Sequence, residues 1–241
     1  MNKNKNFFIG LIPAKKNSSE LKNKNFLKLN NIPLYQIALF SSLKSKYILD
    51  TYISSDSKEV LIKSKKIGAK ILSRPKKLSI KSALADDVVK HFVNYLKIKK
   101  IFNREINIIY LQPTSPFRNH HHVNKAIFVY IKNKYKPLLS ICFSKKPIEK
   151  SLVIKKNKIS NFFKKKSSVL HTENRQNLKK TFYANGAIYI FKIKDFLKKN
   201  KIPIFDSTPF KMNDVSSIDI DSKFDYEIAK LLSKKHVIYK R

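Results

Sequence analysis

Glycine is nearly missing from this 241-residue chain, with three positions in all, and tryptophan is missing altogether. The one cysteine, Cys142, excludes an internal disulfide, and no Cys/His group has zinc-ligand spacing. Stability must come from a packed core, and a reducing, cytoplasmic setting is the expectation. No run of 18 apolar residues occurs, which argues against membrane insertion. The basic and then apolar amino end stops at Lys15 without a small-x-small cleavage site, so it reads as a buried strand rather than a signal peptide. Arginine and acid are also scarce. Of 52 basic residues five are arginine, leaving 47 lysines against 16 acidic residues and a formal charge of +36.

That charge by itself points to a nucleic-acid or membrane partner. Lys, Asn, Ile, Phe and Tyr are abundant together, however, and these are the residues of A/T-rich codons. Codon bias accounts for the excess at least as well as selection for a polyanion, and net charge speaks to solubility rather than mechanism. No nucleic-acid-binding motif accompanies the lysines, so a specific nucleic-acid partner is the last-ranked reading.

Apolar runs of strand length at 7–14, 50–56, 69–74 and 106–113 alternate with segments of helical period at 33–48, 57–68 and 82–98. The alternation predicts a three-layer α/β domain over 1–241, with a mostly parallel sheet covered on both faces. Ligands of such sheets bind beyond the carboxyl ends of the strands. One crevice should therefore gather 15–25, Ser55–Asp56, Arg74–Pro75 and 112–118. After 138 the pattern changes to a strand at 138–145, a hairpin-like stretch at 151–163, a polar stretch and a strand at 186–193. The region of about 140–182 reads as an arm inserted in the domain and suited to an oligomer contact. A last helix follows "SIDID", with Phe224, Ile228, Leu231 and Leu232 expected on one buried face.

In an extended segment Asp219 and Asp221 project to one side while Ile220 turns inward. Converging carboxylates repel unless a cation lies between them, and Mg²⁺ suits because it takes one or two carboxylates and fills its other positions with water and phosphate oxygens. The alternative is an exposed strand end with no ligand. Asp225 has a separate role, since Ser222-x-x-Asp225 has the form of a helix-start capping box. In "YLQPTSPFR" (110–118), Pro113 and Pro116 stiffen a turn that holds Gln112 and Ser115 at a strand end. His120–His122 point in different directions and read as a helix start rather than a metal cluster.

Together with "RQNLKKTFYANGAIYI" (175–190), the stretches "QPTSPFR" and "SIDIDSKFD" resemble, in order and spacing, the acylneuraminate cytidylyltransferases, also called CMP-sialic acid synthetases. The resemblance extends over nearly the whole chain. It implies a nucleotide-diphospho-sugar transferase type fold, a homodimer formed through the arm, and transfer of CMP from CTP to a nonulosonic, sialic-acid-like sugar acid with release of pyrophosphate. By motif position it implies catalytic roles for Lys15, Lys24, Asp219 and Asp221, the two aspartates holding Mg²⁺. Lys15, Asn25, Arg74 and Ala83 fall at nucleotide positions, and Gln112, Arg175 and Tyr189 at sugar-acid positions, with Asn185 a weaker contact. The chain also departs from the family. Lys15 replaces an arginine and loses its planar fork, Ser19 replaces a lysine, Glu20 a glycine and Lys81 an aspartate. Lys16 or Lys22 are the neighbours available to restore the lost charge. These departures keep open a second reading, a catalytically weakened nucleotide-binding relative. Within the first, "NGAIYI" favours neuraminate- or legionaminate-like acids over pseudaminate, Kdo enzymes are the runner-up, and GTP in place of CTP stays open.

Overall fold

The computed structural model describes residues 7–17, 21–162 and 172–236. Strand β1 (Phe8–Pro13) is followed by a two-strand ribbon, β2 (Lys28–Leu29) and β3 (Ile32–Pro33), and by α1 (Leu34–Leu43). Then come β4 (Ile48–Ser55), α2 (Lys58–Lys66), β5 (Lys70–Ser73), α3 (Ala85–Ile98), β6 (Asn107–Tyr110), α4 (His120–Lys132) and β7 (Leu138–Phe143). The hairpin β8 (Leu152–Lys155) and β9 (Lys158–Asn161) precedes β10 (Phe182–Lys192), α5 (Ile193–Leu197), β11 (Thr208–Met212) and α6 (Lys223–Ser233).

One seven-stranded sheet runs β11-β7-β10-β6-β1-β4-β5. Strands β6, β1, β4 and β5 pair in parallel, as do β11 and β7, whereas β10 is antiparallel to both its neighbours. The mostly parallel, three-layer α/β architecture is thus the one the alternation predicts. Side chains of β1 show why it is buried on both faces. Phe8 and Ile12 enter the core made with α1, α2 and α4, while Ile9 and Leu11 enter the opposite core made with α3 and α5. Gly10 lies where β1 meets α1, and a Cβ there would collide with Ser42 Oγ.

Several boundaries differ from the sequence reading. Helix α1 ends at Leu43 rather than 48, because Ile48 already belongs to β4 and pairs with Phe8. Strand β10 begins at Phe182, four residues before the expected 186, and carries a bulge between Ala184 and Tyr189 where Gly186 takes φ 71. The stretch Asn185–Gly186 therefore shapes a mid-strand bulge and not a strand start. The face expected of α6 is also corrected. Ala229 and Ser233 are buried with partly buried Tyr226 and Leu232, but Phe224 is 72% and Leu231 65% exposed. Two hydrogen bonds set the helix rotation: Tyr226 Oη donates to the Lys28 carbonyl at 2.8 Å, and Asn30 Nδ2 to the Ser233 carbonyl at 2.9 Å. The hairpin expected at 151–163 is present as β8–β9, turning at Lys156–Asn157. No helix among the described residues is long and apolar enough to cross a membrane.

Candidate active site

At the carboxyl ends of β1, β4 and β5 the loops are tied to one another by buried polar groups. Ser55 Oγ donates to the Ala14 carbonyl at 2.6 Å, and the Arg74 N–H to the Ser55 carbonyl at 2.8 Å. Arg74 is only 5% exposed; its Nε donates to Ser54 Oγ at 3.1 Å and its terminal nitrogen to the Ser54 carbonyl at 2.8 Å. Asn25, also buried, donates its side-chain amide to the Lys15 carbonyl at 2.9 Å. The Lys15 ammonium in turn donates to the Ile80 carbonyl at 3.2 Å. Burial pulls the Lys15 ammonium below the usual lysine range, and the positive charges of Arg74 and Lys24 pull it further. Three cations are thus crowded at one place.

They border a cleft of about 360 Å³. Of the residues singled out in the sequence, Lys15, Lys24, Asn25, Arg74, Ala83, Gln112 and Asp221 all line it. The acidic segment forms the facing wall. Ile220 is fully buried and its N–H donates to the Thr114 carbonyl at 2.9 Å, which clips 219–221 to the turn after β6. The two carboxylates differ in circumstance. Asp221, with its side chain 59% exposed, accepts the Lys24 ammonium at 2.7 Å. Asp219 is half-buried and its Oδ1 accepts no hydrogen bond. Burial raises the Asp219 pKa, Thr114 opposes by hydrogen bonding, and the charge of Asp221 raises it again.

The bulge of β10 completes this corner. A Cβ on Gly186 would lie 2.7 Å from Gln112 Oε1 and 3.1 Å from Asp219 Oδ2, so the backbone must be bare there as well as left-handed. Tyr189 packs edge-on against Tyr110, with ring centroids 6.0 Å apart, and its phenol pKa is raised by burial and then by Asp219. Gln112 and Asp219 thus flank Gly186, and Tyr189 stands within the field of Asp219, although neither Tyr189 nor Asp219 is among the residues lining the cleft.

Other positions resolve differently. Asn185 is not a contact residue: its Oδ1 accepts Ser140 Oγ at 2.6 Å and its Nδ2 donates to Ser217 Oγ at 2.8 Å, so both ends of the amide brace the bulge. Ser115 is fully buried, away from the cleft walls. Lys16 and Lys22 do not line the cleft either; Lys16 instead donates its backbone N–H to Asp56 Oδ1 at 2.7 Å. Ser19 and Glu20 lie outside the described residues. Arg175 opens a short 3-10 turn, Arg175–Asn177, and its side chain is likewise outside them. Asp225 caps α6: its Oδ2 accepts the Ser222 N–H at 2.8 Å while Ser222 Oγ accepts the Asp225 N–H. His120–His122 start α4, with His122 Nδ1 accepting the Asn119 N–H at 3.2 Å. No group of three or more metal-ligating His, Cys, Asp or Glu exists among the described residues. The sequence reading passed over Arg118, which is 1% exposed and donates to the Gln112 carbonyl at 3.0 Å. Its place at the end of "QPTSPFR" was the available signal.

The chain is 28% identical over 228 residues to the N-acylneuraminate cytidylyltransferase of Escherichia coli O18:K1:H7, covering 94% of this chain and 52% of that protein. It thus spans about half the length of that relative. It is 27% identical to the pseudaminic acid cytidylyltransferase of Campylobacter jejuni, covering 93% of this chain and 95% of that one. In structure it resembles a CMP:2-keto-3-deoxy-manno-octonic acid synthetase complexed with CTP, with TM-score 0.67, 14% identity and coverage of 96% and 100% of the two chains. The sequence model of the cytidylyltransferase family matches residues 9–241, and the chain belongs to that family.

Proposed function

We propose that this chain transfers CMP from CTP to the anomeric hydroxyl of a nonulosonic sugar acid and releases pyrophosphate. The observation that carries the reading is one cleft lined by the crowded cations Lys15, Arg74 and Lys24 together with Asp221, which is paired to Lys24 and adjoins Asp219. The hydroxyl oxygen bonds to the α-phosphorus, the bond from that phosphorus to the pyrophosphate oxygen breaks, and the hydroxyl proton passes to solvent. Such transfers are driven by positioning and by offsetting charge on phosphate oxygens. Arg74 and Lys15 sit on a braced wall that fixes where those oxygens lie. Gln112, beside Gly186, and Tyr189, against Tyr110, would orient the sugar acid. The relatives named above act on sialic and pseudaminic acids, so the class of acceptor is the level at which the reading stands.

The carboxylate pair fits Mg²⁺. Asp219 Oδ1 is buried without a partner and stands in the field of Asp221, a costly arrangement that a shared cation relieves. With two protein carboxylates, positions remain for water and phosphate oxygens. Bound there, the ion would supply charge neutralisation at the transferred phosphate. The arm supports a homodimer: Ile154 and Ile159 pair across β8–β9 and are 78% and 71% exposed, and Phe143 and Phe182 at the two ends of the region are exposed as well.

The test is CTP, Mg²⁺ and a panel of nonulosonic acids, with products identified by mass. Asp221→Asn should lower pyrophosphate release by roughly 100-fold or more. Equal release from that variant would remove the metal role, and CTP binding without turnover by the unaltered chain would leave the weakened relative.

A further inference from the structure

A second hollow, of about 500 Å³, opens beside the cleft and shares Lys15 with it. Its other walls include Asp56, Lys76, Ser79, Ile80 and Lys81. Three ammonium groups face one carboxylate there, a local charge of +3 − 1 = +2. Asp56 already accepts the Lys16 N–H at 2.7 Å. Among the described residues neither Lys76 nor Lys81 forms an ion pair, although eight other lysine–acid pairs do form. The lysines are presented by an ordered turn, with the Leu78 N–H donating to the Pro75 carbonyl at 2.9 Å and the Ser79 N–H to the Lys76 carbonyl at 2.9 Å. Ser79 Oγ is buried with no partner.

We propose that Lys76 and Lys81, together with Lys15, bind the terminal diphosphate of the nucleotide and then the pyrophosphate it becomes. The proposal rests on the nucleotidyl-transfer reading above. Lys15 belongs to both spaces, so a triphosphate with its α-phosphorus by the aspartates reaches past Lys15 into the hollow. An anion bridging the two spaces also relieves the crowding of Lys15 against Arg74 and Lys24. Lysine suits this task, because a point charge on a long stem follows a leaving group that changes position. The positive charge absent at Ser19 is thus supplied from the loop after β5, not from Lys16 or Lys22.

Calorimetric titration of the full chain with inorganic pyrophosphate, and separately with CMP, tests the proposal. Lys76→Ala combined with Lys81→Ala should weaken pyrophosphate binding roughly tenfold and leave CMP binding unchanged. The control, Lys65→Ala with Lys66→Ala, removes the same charge from the last turn of α2, at the opposite end of the sheet, and should change neither. The proposal is overturned if the unaltered chain binds no pyrophosphate, if the first pair leaves pyrophosphate binding intact, or if the control pair weakens it equally. Both pairs lie on the surface, and their melting temperatures check that folding is preserved. Pyrophosphate binding that responds as expected in a chain that turns over no sugar acid sinks the reaction and keeps the hollow; turnover with unresponsive binding does the reverse.

Discussion

The two walls of the cleft are built by opposite means. On the side of β1, β4 and β5 the Arg74 guanidinium is buried and bonded to Ser54, and the loops around it are tied by Ser55 to Ala14 and Asn25 to Lys15. On the acidic side the Asp221 carboxylate is exposed, and its partner Lys24 also lines the cleft. A buried guanidinium with several hydrogen bonds keeps its place whether or not a ligand is present. The Lys24–Asp221 pair, with its lysine side chain 18% and its carboxylate 59% exposed, is open to solvent on the acidic side and is more readily exchanged than the Arg74 network. On the proposed reading the first wall is a template, and in the second Lys24 and Asp221 occupy each other until a phosphate and a cation would replace them.

Three substitutions can break or sharpen that contrast. The largest effect is expected from Arg74→Lys, which leaves a buried ammonium unable to reproduce two fixed donors and should cost about 2–3 kcal/mol of stability, read as a lowered urea midpoint, along with lost CTP binding. Lys24→Met comes next. It should change stability by less than about 1 kcal/mol, yet raise the affinity of the nucleotide-free chain for Mn²⁺ roughly threefold or more by unmasking Asp221, as followed by electron spin resonance. Should Lys24→Met lose as much stability as Arg74→Lys and gain no Mn²⁺ affinity, the contrast fails.

The smallest effect lies away from both walls and gives their baseline. Burial holds His122 below the usual imidazole range, followed by the charges of Arg118, His121 and Lys125, and its Nδ1 accepts a backbone N–H only when unprotonated. Because the folded pKa is depressed, the unfolded chain takes up the proton first. The stability that His122 contributes is present above about pH 6.5 and declines as pH falls below it. His122→Gln keeps a side-chain acceptor at the third helical position and should flatten the melting temperature between about pH 6.5 and 5, while the CTP binding lost by Arg74→Lys stays intact.

The sheet was legible because the segments holding β1 and β6 are largely apolar runs set between stretches of helical period, which is how doubly covered strands read. Part of the acidic segment was legible for a similar reason: alternation about Ile220 sends that side chain to the core and Asp221 outward, whereas Asp219 is half-buried. What could not be read depends on distant partners. Nothing near Phe224 or Leu231 announces that Tyr226 and Asn30 fix the rotation of α6. Asn185 looked available because its partners, Ser140 and Ser217, lie 45 and 32 residues away. Lys76 was indistinguishable from dozens of solvated lysines, and Lys81 stood out only as a departure from the family, until the structure set both beside Lys15.

The scarcity of glycine has a thermodynamic corollary. Ten non-glycine residues among those described adopt positive φ, including Asn30–Asn31 and Lys156–Asn157 at the two tight hairpin tips. Asparagine tolerates that conformation, but Lys100, Lys134, Tyr135 and Lys156 each carry a penalty of about 1 kcal/mol that glycine would remove. The fold thus holds an untapped reserve of robustness at its surface corners, reachable without touching the cleft.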